Sequence, residues 1–100
     1  MTLVLGIDGG GTSCRAALAT RDGTILGRAT SGAANIRTDL TGARASIVDA
    51  ARRAFGDAGL DPDRITETPA LLGLAGSNVG TYRKQLEAIL PFPQCVITSD

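Results

Sequence analysis

Leu3-Val4-Leu5-Gly6-Ile7-Asp8-Gly9-Gly10-Gly11-Thr12-Ser13-Cys14-Arg15-Ala16-Ala17-Leu18 is the stretch whose reading decides the fold. An apolar run ends on an aspartate. Three glycines and two hydroxyl residues follow, and a second apolar run returns. Leu3 to Ile7 reads as a buried strand. Arg15 to Ala19 reads as its antiparallel partner, with the glycines in the hairpin turn. Two glycines would suffice for a tight turn. The third, flanked by Asp8, Thr12 and Ser13, asks for another reason. Bare backbone lets amides approach an anion closely, and successive N–H groups in a turn form a concave nest for it. Thr12 and Ser13 add hydroxyl donors. Asp8 would repel a phosphate alone but suits a hydrated Mg²⁺ riding on that phosphate. The residues by themselves leave two readings open. One is a metal-nucleotide phosphate site at Gly9, Gly10, Gly11, Thr12 and Ser13, with Asp8 reaching the metal through water. The other is a glycine hairpin without a ligand. A Walker A loop is excluded, because no Lys-Ser/Thr pair follows and no helix opens there. A dinucleotide fingerprint fails for the second of these reasons.

Working outward, Arg21-Asp22-Gly23-Thr24 is a turn, and Asp-Gly is a strong hairpin signal. Ile25 to Thr30 gives a third strand, so the chain opens as an antiparallel meander. Ser31 to Ile36 is a loop of small residues. Leu40, Ala43, Ile47, Ala51, Ala54, Phe55 and Ala58 recur at helical spacing and predict a long helix with one apolar face. Asp39 is its expected N-cap, Gly59 suits the left-handed position after its end, and Pro62 prevents resumption. Arg44, Arg52 and Arg53 fall off the apolar face and read as solvated. Ala70 to Ala75 predicts a fourth strand, apolar throughout and expected to be buried on both sides. Gly76-Ser77-Asn78 reads as a turn and cap. Val79, Tyr82, Leu86, Ile89 and Leu90 mark a second amphipathic helix, ended by Pro91 and Pro93. Cys95 to Thr98 is a fifth strand. The order β-β-β-α-β-α-β predicts an α/β fold, a mixed five-stranded sheet with flanking helices.

Composition narrows the function. The chain has 100 residues, with ten basic and ten acidic side chains and no histidine. That is one small domain at most. Balanced charge argues against a nucleic-acid partner or an anionic membrane surface. Aromatic residues make up 3% of the chain, which argues against base stacking. The two cysteines, Cys14 and Cys95, both fall in predicted strands and read as reduced core residues of a cytoplasmic protein. No apolar run is long enough to span a membrane, and no basic segment precedes the first one.

Gly6-Ile7-Asp8-Gly9-Gly10-Gly11-Thr12 resembles the first phosphate motif of the sugar kinase, Hsp70 and actin superfamily. Within it the chain is similar to the glucosamine and N-acetylglucosamine kinases, grouped with activator ATPases in the BadF/BadG/BcrA/BcrD ATPase family. The resemblance runs through nearly all of the chain. It implies a ribonuclease-H-like sheet, the first half of an actin-like ATPase fold. Residues 1–100 would then be an N-terminal subdomain of a longer kinase, with the second phosphate loop and adenosine site elsewhere. A buried strand that stops at Asp100 without a closing helix agrees with that expectation.

The same resemblance assigns further residues. Ser31-Gly32-Ala33-Ala34-Asn35-Ile36 is similar to a stretch in glucosamine kinases whose asparagine contacts the sugar. By spacing alone, Asn35 reads rather as a turn residue. Gly73-Leu74-Ala75-Gly76 read from the residues alone serves tight helix–strand packing; the resemblance implies a sugar-pocket wall, with Gly76 against the substrate. Acetyl-sugar kinases of this branch tend to place a serine where Ala75 stands, a departure that weighs against acetamide recognition. Asp100, after Val96-Ile97-Thr98-Ser99, matches a catalytic base. An aspartate there could equally cap a following helix. The implied activity is ATP- and Mg²⁺-dependent phosphorylation of a small amino sugar, glucosamine first and N-acetylglucosamine second. The implied protein is cytoplasmic, and a homodimer is compatible with it. The rival is an activator ATPase, which drives electron transfer and needs a cysteine-held cluster. Cys14 and Cys95 are not a cluster pair.

Overall fold

A computed structural model describes residues 2–35, 39–74 and 80–99. Strands β1 (Leu3–Gly9), β2 (Cys14–Thr20) and β3 (Ile25–Ser31) form the antiparallel meander. Helix α1 (Leu40–Asp57) follows, then β4 (Ala70–Leu74), α2 (Gly80–Ile89) and β5 (Cys95–Ser99). The sheet order is β3-β2-β1-β4-β5, with β1, β4 and β5 parallel. Both crossovers carry a helix, as parallel neighbours require. The expected α/β architecture therefore stands, with one element unforeseen. Pro62–Glu67 is a 3₁₀ turn, where the sequence reading had only a connection. Pro62 supplies the preset φ at its start, and Asp61 caps it by accepting from the Asp63 amide at 2.9 Å.

The ends of α1 follow local chemistry. Asp39 accepts from the Gly42 amide at 2.8 Å, satisfying one orphan donor of the first turn. At the other end Gly59 takes φ +74°, its amide reaches Gly56 O, and the Leu60 amide reaches Phe55 O at 2.9 Å. That pair of bonds is a Schellman motif. The arginines read as solvated are exposed and partnered: Arg52 with Asp63, Arg53 with Asp49, and Arg44 with the Ile89 carbonyl.

The core lies on one side of the sheet. Leu3, Leu5 and Ile7 of β1, Ala16 and Leu18 of β2, and Leu72 and Leu74 of β4 pack beneath Ala43, Ile47, Ala50, Ala51, Ala54 and Phe55 of α1. Gly27 of β3 lets α1 approach, because a Cβ there would run into Ala54 O. Leu86 anchors α2 to the same core. Two expectations need correction. Strand β4 is not buried on both sides: Leu72 is sealed, while Leu71 is 57% exposed. Ile89 of α2, read as part of an apolar face, is 38% exposed. Among the described residues both helices contribute to one face of the sheet, and the opposite face is uncovered. A run apolar on every residue records two apolar environments, and the described residues supply one of them.

Candidate active site

Parallel strands β1, β4 and β5 present their carboxyl ends at one edge of the sheet. Gly9, Leu74 and Ser99 stand in register there. The glycine hairpin begins at that same edge, at the end of β1. Such an edge is where ligands collect in open α/β sheets. Gly76 and Asp100 themselves lie outside the described residues.

The hairpin is tied to the β3–α1 connection. Gly10 donates its amide to Ser13 O at 2.9 Å, and Gly10 O accepts from the Ala34 amide at 2.8 Å. Asn35, half-buried, follows Ala34 directly, and its carbonyl accepts from the Asp39 amide at 3.2 Å. The structure thus brings the hairpin and the Asn35 segment together. That juxtaposition links Asp8 through Ser13 with Asn35 in one neighbourhood.

The glycines divide by role. A Cβ on Gly9 would stand 2.8 Å from Ala34 Cβ and 2.8 Å from Leu74 Cδ2, so packing alone requires glycine there. A Cβ on Gly10 or Gly11 would meet nothing within 4 Å among the described residues, and neither has a left-handed φ. Neither space nor backbone conformation demands glycine at those two positions, and their bareness suits close approach by a ligand. The Gly10 amide already closes the hairpin. Among the described residues the amides of Gly11, Thr12 and Ser13 make no backbone hydrogen bond. These three are the donors left for an anion.

Asp8 projects from the open face. The register across that face runs Thr30, Arg15, Asp8, Gly73, Thr98, one residue from each strand. Arg15 Nη2 donates to Asp8 Oδ2 at 3.0 Å, with the two side chains 70% and 49% exposed. Asp8, Arg15, Arg28 and Thr30 line a shallow depression of about 510 Å³, floored by Gly6 and Ala17. A second depression, about 440 Å³, lies further down the same face and is apolar, lined by Val4, Ala19, Ile25, Leu71 and Val96. The polar one adjoins the hairpin and can hold charge; the apolar one cannot. Sequence reasoning passed over Arg15. Pairing Gly10 with Ser13 sets Asp8 opposite Arg15, so counting outward from the turn would have found it.

Among the described residues no group of three or more His, Cys, Asp or Glu side chains could cage a metal. The donor set is one half-exposed carboxylate beside free amides. It fits a cation that keeps its waters and arrives with phosphates, as Mg²⁺ does.

The profile of the BadF/BadG/BcrA/BcrD ATPase family matches residues 5–89. The chain belongs to that family. Among its relatives, the glucosamine kinase GspK of Vibrio cholerae is 37% identical over 101 residues, a match covering all of this chain and 34% of GspK. The crystal structure of a candidate N-acetylglucosamine kinase from Chromobacterium violaceum superposes with a TM-score of 0.82 at 27% identity, over 99% of this chain and 35% of that one. The chain spans about a third of the length of each. The family bears out the resemblance on which the fold was expected, a mixed sheet of the actin-like ATPase type. No described helix is long and apolar enough to cross a membrane.

Proposed function

We propose that this chain is the N-terminal, phosphate-binding lobe of a cytoplasmic ATP-dependent amino-sugar kinase, with glucosamine as the favoured acceptor and N-acetylglucosamine as the runner-up. The observation that carries the reading is the glycine hairpin. Two of its glycines are required by neither packing nor backbone conformation, and its amides stand open at the carboxyl edge of the sheet. Family membership supports ATP as the phosphoryl donor. The relatives, one a glucosamine kinase and one a candidate N-acetylglucosamine kinase, support an amino sugar as acceptor. Ala75 and the Ser31 to Ile36 stretch favour glucosamine.

In this reading the Gly11, Thr12 and Ser13 amides, with the Thr12 and Ser13 hydroxyls, receive the phosphates. Asp8 would hold a hydrated Mg²⁺ through its waters, and that cation, bound with nucleotide, would supply neutralisation of developing phosphate charge. Asn35 and the backbone at Gly76 orient the sugar. Asp100 accepts the proton of the attacking hydroxyl, and alignment of the reacting oxygens does most of the rest.

Asp100→Asn in the complete kinase tests the assignment. The substitution keeps size and hydrogen bonding but removes the proton acceptor. We expect kcat to fall by about 10²–10⁴-fold, with Mg-ATP affinity and melting temperature unchanged. Asparagine caps a helix about as well as aspartate, so a variant keeping more than about a tenth of the activity ends the base assignment. A phosphorylation panel of glucosamine, N-acetylglucosamine, glucose and no sugar tests the substrate class. Hydrolysis of ATP without sugar dependence would sink it.

A further inference from the structure

Asp8 has unlike neighbours on its two sides. On β2 it faces Arg15 directly, and the two are joined at 3.0 Å through Asp8 Oδ2. On β4 it faces Gly73, which offers no side chain. Room exists at Gly73, since among the described residues a Cβ there would meet only Thr98 Oγ1, at 3.9 Å. Beneath the row lie Gly6 and Ala17, paired across β1 and β2, which leave the carboxylate free of crowding from below. Asp8 Oδ1 has no protein partner among the described residues.

Stability gives this ion pair little reason to exist. Both side chains are largely solvated, and exposed pairs add little to folding. What the pair does accomplish is geometric. An unpaired aspartate on an open sheet face samples several rotamers. A guanidinium on one oxygen selects among them and leaves the other oxygen available. A hydrated cation needs that second oxygen, in a fixed place, with bare space beside it for its waters. We propose that Arg15 is a positioning residue for Asp8: it fixes the carboxylate from the β2 side so that the open oxygen serves a hydrated cation on the Gly73 side. The inference rests on the metal-phosphate reading of the hairpin and adds to it the group that orients the carboxylate.

The alternative role for Arg15 is direct contact with phosphate. Calorimetry on the complete protein separates the two, using ATP with Mg²⁺ and ATP with a chelator. Removing an outer partner of a metal-binding group typically costs about 10–100-fold in affinity. Arg15→Gln should weaken Mg-ATP binding by that order and leave Mg-free ATP as in the wild type. Asp8→Asn and the double variant Asp8→Asn/Arg15→Gln should bind Mg-ATP equally, because Arg15 acts only through Asp8. Arg15→Lys, a point charge without the planar fork, should fall between Gln and wild type. Melting temperatures should hold throughout, and should Arg15→Gln fail to fold, the same cycle is read with Arg15→Lys. An equal loss for Mg-free ATP, or additive losses in the double variant, overturns the positioning role and leaves the phosphate site standing. If Asp8→Asn itself leaves Mg-ATP affinity unchanged, the metal reading falls and the inference with it.

Discussion

Two faces of one sheet carry opposite loads. On β4, Leu72 is 0% exposed and its neighbour Leu71 is 57% exposed. The same alternation splits β1, where Leu3, Leu5 and Ile7 lie under α1 while Val4, Gly6 and Asp8 face outward. Along the packed face the composition is mainly apolar, as a core requires, and the hydroxyl of Ser31 there donates to Ser46 O of α1. Along the open face it is graded: Val4, Ala19, Leu71 and Val96 at one end, then Thr30, Arg15, Asp8 and Thr98 at the hairpin end. The packed face therefore sets where the strands lie. The open face carries the charged and hydroxyl side chains of the candidate site, grouped at the edge where the parallel strands end.

That comparison is broken most directly by truncating the two leucines. Leu72→Ala leaves a cavity under α1, and we expect a loss of about 2–5 kcal/mol in urea unfolding of the 100-residue chain. Leu71→Ala removes atoms that are mostly in water already, and should cost less than about 1 kcal/mol. Equal losses would mean that the open face is covered by something this arrangement does not include.

A smaller contrast lies within the hairpin. Gly9→Ala drives a methyl into Ala34 and Leu74, and overpacking of that kind costs about 1–3 kcal/mol. Gly10→Ala enters open space at a φ that alanine accepts, so stability should hold or rise by about 0.4–1 kcal/mol. For Gly10→Val in the full-length protein, the proposed phosphate site predicts weaker Mg-ATP binding without loss of fold, measured by calorimetry. Unchanged affinity would remove the hairpin from the phosphate site.

Much of this organisation was legible in the sequence, for physical reasons that differ by element. The meander, α1 and its caps are local: Asp-Gly turns, helical spacing, Asp39 and Gly59 each act within a few residues. The candidate site at Asp8 and the glycines was proposed from sequence because hydroxyls and bare backbone in a turn are unusual together. What spacing could not reveal was the separation of Gly9 from Gly10 and Gly11. That depends on Ala34, whose amide reaches Gly10 O from a loop far along the chain. Nor could it show that β4 would stay half open, because hydropathy records that a residue wants cover and not whether cover is present. Arg15 was missed for a third reason: in a strand an arginine reads as a solvated charge until the register names its partner.

The smallest expected effect concerns two thiols on the packed side of the sheet. Cys14 is fully buried opposite Gly9, and burial, aided by the charge of Asp8 and offset by a hydrogen bond with Ser31, pushes its pKa up to about 11. Cys95 begins the edge strand β5, half-buried, and burial with the nearby Glu87 charge takes it to about 11 as well. A raised pKa means that folding favours the neutral thiol. An unfolded thiol ionises near about 8.5. The stabilisation is therefore fully present below that pH and is lost as pH climbs from there through about 11. Urea midpoints should fall across that interval, and Cys14→Ala should flatten the decline relative to the wild type, whatever its offset at pH 7. Alkylation at pH 8 separates the two sites. Cys95 should react slowly in the native chain, while Cys14 should react only as the chain unfolds, with a rate that tracks the urea transition. Labelling of Cys14 ahead of that transition would show that the sheet opens at the hairpin, and the packed face would then be the less stable half of the comparison.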